Sequence, residues 1–427
     1  MAVLIYGNCF VLSPGVVSLS AMALEKLRIA IVGCGTAGPA AAVLLKRQGH
    51  EVVLFERAPE CKAVGAGFLL QPSGMAVLGE LGIMENVLAH AAKVECLHVL
   101  DADGGTLLDL KYRELGQGSF GAGLHRPVLL KYLLDAMHAA DVEIRWGCEI
   151  ETVSKSASGW SLGAADGNAW HGFQLLIVAD GARSKLRDLV GTGGVNCGYP
   201  WGAHWFIGTN DGIFPEDELY QVVDGTRRLG GFLATGRDLD GGDPLVSLFW
   251  SIKIADDAAW RARPLEEWKQ EIRALCPKSA GLLAQITSWD QILTARYGDV
   301  RMRRWHGDGI VVLGDAAHAM SPQLGQGVNL ALADASCLAD CLARHSMDVA
   351  LAKYQRRRWL ALRYYALATR WLTPWFQSDY EWLTPLRKIF FLTAQVIRPA
   401  RQFMTLSMAG QIGTWRSQTP KPPVQRD

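Results

Sequence analysis

The chain of 427 residues is long enough for two or three domains, and its 43 basic and 42 acidic side chains leave a formal charge of +1. With 49% hydrophobic and 20% charged residues, the composition excludes a disordered chain, a fibrous repeat and a nucleic-acid footprint spread over the whole length. Nine cysteines scattered from Cys9 to Cys341, with no CxxC and no Cys/His cluster, argue against a disulfide framework or a zinc module and favour a reducing compartment.

Residues 1–24 carry no charged side chain, but Asn8 and Pro14-Gly15 interrupt them and no basic stretch precedes the apolar run, so no secretory signal is expected. Residues 1–27 read as a disordered leader, or as sequence upstream of a start at Met22. Three short apolar runs follow along the chain, each ended abruptly by Gly or Asp: Arg28–Gly33, Leu175–Asp180 and Gly309–Asp315. Runs without alternation fit strands covered on both faces, and polar strand ends of this kind converge on the ligand crevice of an α/β sheet.

The first run leads into a GxGxxG, Gly33-Cys34-Gly35-Thr36-Ala37-Gly38, then a helix predicted over 36–48 and a second strand ending at Glu56. Gly33 allows the tight turn, Gly35 the approach of backbone N–H groups to a pyrophosphate, and Gly38 the close packing of helix on strand. Glu56 stands where a carboxylate accepts from the hydroxyls of an adenosine ribose. The strand, helix, second strand and acid together predict a bound dinucleotide, and they leave FAD or NAD open.

Between these strands, short alternating runs with turn pairs over 140–175 and about 198–255 predict antiparallel hairpins and a second sheet. Apolar periodicity predicts further helices at 127–139, 265–276, 327–345 and 351–372. No segment after the leader approaches the roughly 18 apolar residues that span a bilayer. A second GxGxxG between strand and helix is missing, since Gly191-Thr192-Gly193-Gly194 follows a basic, helix-like stretch, so no separate NAD(P)H domain is expected.

The ordered set GxGxxG, then Asp180-Gly181 in VADGARSKLR, then Gly314-Asp315 in GDAAHAMSPQLGQGVNLALADA resembles the class A flavoprotein monooxygenases, the family of 4-hydroxybenzoate hydroxylase and salicylate hydroxylase, over about residues 28–345. The resemblance implies an α/β fold with a Rossmann-like FAD-binding domain (28–96, 120–195 and 296–345), an antiparallel-sheet substrate domain (97–119 and 196–295) and basic, aromatic C-terminal helices (346–427). It implies FAD, with NADH or NADPH as a transient electron donor and O2 as co-substrate, and hydroxylation of a small, mostly apolar, aromatic molecule through a flavin C4a-hydroperoxide. An epoxidase or reductase of the same fold acting on an isoprenoid or quinone-type substrate stays open, as does a non-catalytic flavin-binding regulator.

Site residues follow from the same resemblance. Gly33, Gly35, Thr36, Ala37, Gly38, Glu56 and Arg57 serve the adenosine half. Gly65-Ala66-Gly67 and the following Phe68 to Pro72 pass beneath the flavin, and Arg126 contacts its phosphate and ribityl region. Asp180 lies near FAD and donor, while Pro322, Gly325, Gly327, Val328 and Asn329 lie against the isoalloxazine. Asp315 is placed to accept from a ribityl hydroxyl or to cap the next helix, two compatible roles. Phe68, Leu69, Trp205 and Phe206 are candidate lining or ordinary core, and His204 is a candidate base or a structural histidine. No catalytic base is assigned.

The tail stands apart. Residues 351–427 hold thirteen Lys and Arg against three acids, a local charge of +10 over a body of −9. Cations interleaved with Trp359, Trp371, Trp375, Phe376, Trp382, Phe390 and Phe391 suit peripheral contact with an anionic membrane. Helical spacing of the same aromatics suits a pair of helices closing the substrate domain, and that spacing favours the second reading. No nucleic-acid partner is expected, and the chain reads as a monomer or homodimer.

Overall fold

The three apolar runs become adjacent strands of one sheet in the computed structural model, which describes residues 25–60, 67–190 and 195–414. Sheet order by range is His306–Gly307, Ile310–Val312, Leu175–Val178, Arg28–Val32, Glu51–Phe55 and Glu143–Arg145. All neighbours are parallel except the short His306–Gly307 hairpin arm. The strands are apolar throughout because both faces are covered: Ile29, Ala30, Ile31, Leu175, Leu176, Ile177, Val178, Val311 and Val312 are fully buried. The leader residues 1–24, the Gly65-Ala66 pair and Gly191–Gly194 lie outside the described residues.

Seven helices of eleven residues or more lie among the described residues: α1 (Ala37–Arg47), α2 (Arg126–Ala139), α3 (Leu265–Leu275), α4 (Gly327–Leu342), α5 (Met347–Phe376), α6 (Leu383–Val396) and α7 (Arg398–Met408). The first four fall within two or three residues of the segments that periodicity marks. Helix α5 is longer than its expected 351–372, starting four residues earlier at Met347 and continuing through Pro374 to Phe376. Helices α1 and α4 pack on each other over the sheet.

A second sheet of seven strands holds, in order, Leu293–Arg301, Val195–Thr209, Gly241–Lys253, Arg228–Asp238, Glu218–Asp224, Cys96–Asp101 and Thr106–Lys111. One face is closed by α3 and its neighbours around Phe232, Leu248, Trp250, Trp268 and Ile272. The other face meets the cofactor-side domain so closely that a Cβ on Gly123 would lie 1.8 Å from Ala234 O. The C-terminal helices tie the two sheets together. Arg358 of α5 is buried against α4, while Gln377 at the C-cap donates from Nε2 to Gly202 O at 2.9 Å. Gln395 of α6 brackets the edge strand, accepting from Asp109 N and donating to Leu107 O at 2.8 and 2.7 Å.

Candidate active site

The glycine triplet does what its spacing requires. Gly33 has φ +109° and donates to Phe55 O at 2.8 Å, and a Cβ there would lie 2.4 Å from Ala179 O. A Cβ on Gly38 would meet Gly33 O at 2.0 Å, whereas one on Gly35 would meet nothing within 4 Å. So the first and third glycines are fixed by the protein's own packing, and the second faces open space above the turn. Thr36 caps α1 without a side-chain bond, and Ala37 opens that helix, leaving the first-turn N–H groups directed into the same space. Glu56 Oε2 accepts from Cys34 N at 2.7 Å and Oε1 from Ala58 N at 2.9 Å. Each oxygen keeps a lone pair for a further donor. Arg57 is exposed and close enough to Asp180 for its charge to act on that carboxylate.

At the end of the strand Leu175–Val178, Asp180 Oδ1 is buried with no hydrogen-bond partner among the described residues. Burial pushes its carboxyl pKa up, against the opposing pull of a Ser184 hydrogen bond and the Arg187 and Arg57 charges. Arg126, the first residue of α2, lies 5.7 Å from the Phe68 ring centroid. Desolvation lowers its pKa while Asp315 raises it, although the side chain is accessible to solvent. Protein on most sides together with water access is the signature of a deep cleft. Gly67, at the base of this cleft, has no room for a side chain, since a Cβ would fall 2.1 Å from Thr235 Cγ2 and 2.9 Å from Ser247 Cβ.

The third strand end supplies Gly314 at φ +58° and the exposed Asp315. Beyond it a 3₁₀ turn, Pro322–Leu324, ends at Gly325 with φ +61°, and α4 begins at Gly327. A Cβ on Gly327 would lie 3.8 Å from Asp315 Oδ1, so this helix start and the acid share one wall of the cleft. The backbone N–H groups of Gly327, Val328 and Asn329 occupy the first turn, where no intrahelical acceptor exists. The side chain of Asn329 is used internally: Oδ1 accepts from Gln71 N at 2.8 Å, and Nδ2 donates to Gly325 O at 3.1 Å and Leu69 O at 3.3 Å. It clamps the segment after Phe68–Leu70 to the start of α4, leaving its backbone as the group that faces the cleft.

Behind the third strand end sits a buried network that sequence reasoning missed. Asp334 of α4 accepts from Gly314 N at 3.0 Å, shares a 2.5 Å hydrogen bond with His318 Nε2, and accepts from Arg358 Nε at 2.7 Å. Burial opposes its charge, yet His318 and Arg358 hold the carboxyl below its ordinary range. The sequence signal was the single charged residue, Arg358, on a face of α5 that is otherwise Ala, Leu, Tyr and Thr.

His204 is not on the cleft side. Its Nε2 is 2.9 Å from Asp257 Oδ1, and its ring packs 5.8 Å from Trp268 and Trp289 on the helix-covered face. Alternation along the strand puts Phe206 in that same closed core, so Phe206 is also removed from the candidate lining. Trp205 points the other way, 5.3 Å from Phe249. On that cleft-side face Trp205 Nε1, Tyr297 OH, Thr235 Oγ1 and Ser247 Oγ are all buried without a partner among the described residues. Trp205 Nε1 lies near the Tyr297 hydroxyl, but the pair does not close a hydrogen bond of normal geometry. Burial raises the Tyr297 phenol well above its ordinary range, so it stays neutral.

Comparison with known proteins fits this geometry. The family described as "FAD binding domain" matches residues 26–361. The chain is 28% identical over 334 residues to 3-amino-4-hydroxybenzoate 2-monooxygenase of Streptomyces cremeus, covering 74% of this chain and 78% of that protein. It is 27% identical over 348 residues to 3-hydroxybenzoate 6-hydroxylase of Klebsiella oxytoca, covering 76% and 82%. In fold it is similar to the crystal structure of PqsL from P. aeruginosa in complex with 2-aminobenzoylacetate, at a TM-score of 0.76 and 24% identity, covering 86% of this chain and all of that one. A match over most of the length, with monooxygenase and hydroxylase relatives along three quarters of it, places the chain in the FAD-binding-domain family of class A flavoprotein monooxygenases.

Proposed function

We propose that this FAD-dependent monooxygenase hydroxylates a small aromatic molecule held against the cleft-side face of the seven-stranded sheet, with NADH or NADPH as electron donor. The observation that carries the reading is the group of four partnerless polar atoms, Trp205 Nε1, Tyr297 OH, Thr235 Oγ1 and Ser247 Oγ, on the sheet face that Gly67 approaches. Buried polar groups are normally hydrogen-bonded, so four orphans on one wall mark a place completed by a ligand.

The residues opposite fit FAD. The open space over Gly35 and the first-turn N–H groups of α1 suit a pyrophosphate, and Glu56 keeps lone pairs for a ribose. Arg126 would offset phosphate charge, while Asp315 would accept from the ribityl chain. Asp180 Oδ1 would gain the donor it lacks. Pro322, Gly325 and the N–H groups of Gly327, Val328 and Asn329 would line the ring end, where the start of α4 favours negative charge. When bound, FAD supplies the redox and oxygen-transfer chemistry.

The chain's own residues then have limited tasks. Tyr297 and Trp205 orient the ring substituents of the acceptor, and Phe249 and Leu233 exclude water from its face. None of the four orphan atoms hydrogen-bonds a His or a carboxylate among the described residues, and activation of the ring is assigned to a hydroxyl or amino substituent that Tyr297 can hydrogen-bond.

The test is NADH and NADPH oxidation by FAD-loaded protein across hydroxy- and amino-substituted aromatic acids and quinolones, with isotope-labelled dioxygen. An acceptor that speeds donor oxidation and gains one labelled oxygen supports the reading. Donor oxidation that no acceptor stimulates, with peroxide as sole product, counts against it.

A further inference from the structure

Helix α6 is apolar on its outward side as well as on its inward one. Its inward side carries Arg387, 1% exposed, which donates to Gly225 O at 2.6 Å and Trp375 O at 2.8 Å beside Leu383, Phe391 and Ala394. Its outward side carries Leu386, Ile389, Phe390, Leu392 and Val396, and Ile389 and Val396 are 63% and 83% exposed. At 100° per residue these side chains and Trp382 form a broad apolar face, broken by Thr393, on the side where an amphipathic helix carries polar residues.

The face continues onto the neighbouring helices. Phe390 lies 5.3 Å from Trp371 and 5.7 Å from Trp375 of α5, and Tyr364 lies 5.8 Å from Phe403 of α7. Leu360, Leu367 and Trp371 extend it as an exposed stripe along α5. The helical spacing of the tail aromatics therefore does not make them core. Phe376 and Phe391 pack inward, while Trp359, Trp371, Trp382 and Phe390 face solvent.

Charge decides among occupants. No carboxylate occurs from residue 382 to residue 426. Nearby acids are already neutralised: Asp379 by Arg227 and Lys253 at 3.0 and 2.7 Å, Glu381 by Arg227 at 3.3 Å, and Asp101 by Lys388 at 3.2 Å. Exposed cations remain at the margins, Arg398 at the α6–α7 junction and Arg363 5.8 Å from the Trp359 ring. An apolar face with Trp and Tyr, flanked by cations and lacking free anions, matches the boundary of an anionic bilayer. No helix among the described residues is long and apolar enough to cross one.

We infer that the α5–α6–α7 face rests in the surface of an anionic membrane, with α6 lying in the interface plane. The full-length, FAD-loaded protein is to be sedimented with vesicles of phosphatidylcholine plus phosphatidylglycerol, and with phosphatidylcholine alone. The wild type is expected to sediment with the anionic vesicles, less so in high salt, and the double variant Ile389→Glu/Val396→Glu to partition at least about tenfold less. Both positions are exposed, so unchanged FAD content and melting temperature in the variant exclude misfolding as the cause. Wild type that stays in the supernatant overturns the inference, as does a double variant that sediments equally. Sedimentation velocity showing a wild-type dimer that the double variant splits would also overturn it, by assigning the face to a second copy.

Discussion

Arg358 and Asp334 are joined at 2.7 Å across two helices, and neither side chain reaches solvent. The pair sits directly behind the loop that presents Asp315, because the other Asp334 oxygen holds Gly314 N and His318. An ion pair this deep is chiefly a positioning device, since desolvation consumes most of its attraction.

Breaking that pair on one side is therefore costly. Arg358→Met strips the buried Asp334 carboxylate of its guanidinium partner, leaving it only Gly314 N and His318, and is expected to lower stability by about 3–5 kcal/mol. Adding Asp334→Leu removes the buried charge but takes the acceptor from Gly314 N and His318, and is expected to recover only part of that loss. Chemical denaturation of the two variants checks the order, and a double variant less stable than the single one would contradict it.

How much of this was legible follows from the range of each interaction. The glycine turn and Glu56 are largely local: Gly33 N on Phe55 O, Gly38 against Gly33 and Glu56 on Cys34 all lie within one strand-helix-strand unit, so spacing alone located them. The Asp334 network joins three elements through partners 16 to 24 residues apart, and nothing in the sequence pairs them. His204 and Trp205 are adjacent, and which one faces the cleft depends on strand register, a parity that the apolar string WFI cannot reveal. Helical spacing of the tail aromatics predicted helices there without giving α6 its bounds, and spacing treats a face turned to solvent and a face turned to core alike.

The second and third glycines of the turn separate folding from cofactor binding. Gly35→Ala meets no protein atom within 4 Å and is expected to leave the melting temperature of the cofactor-free protein nearly unchanged while FAD affinity falls by about tenfold or more. Gly38→Ala collides with Gly33 O and is expected to lower both. Thermal unfolding with and without FAD, combined with flavin titration, distinguishes them. Equal losses of stability would refute the assignment of open space over Gly35.

Removing an orphan hydroxyl should be nearly free for folding. Tyr297→Phe is expected to change stability by less than about 0.5 kcal/mol and to lower kcat/KM for the acceptor by about 2- to 10-fold, the value of one hydrogen bond. Because the phenol stays neutral, the loss should not vary with pH below about 9. Steady-state kinetics across pH tests both points, and an unchanged kcat/KM would remove Tyr297 from the acceptor wall.

Acid should destabilise the fold in two stages. Burial holds His204 below its ordinary 6.5, so below that pH the unfolded chain binds the extra proton and stability is lost as pH falls. Burial raises the Asp257 carboxyl, but hydrogen bonds from His204, Thr294 and Arg261 outweigh it and hold the pKa below its ordinary 3.8, adding a second loss at lower pH. His204→Phe is expected to flatten the melting temperature between about pH 7 and pH 5 without abolishing the slope, since His50 and His306 are lowered by burial in the same way. An unaltered slope in the variant would show that His204 does not titrate with folding.

Helix α5, 30 residues and about 45 Å long, works as a strut with a fixed angular phase. In its N-terminal half Arg358 meshes with Asp334 of α4 on the cofactor side, and at its C-cap Gln377 meets Gly202 of the other sheet. One residue inserted between them would turn the two attachment points about 100° out of alignment, while leaving every residue of both sheets in place. The relative setting of the two sheets is thus governed by a count of residues in the helix that joins them.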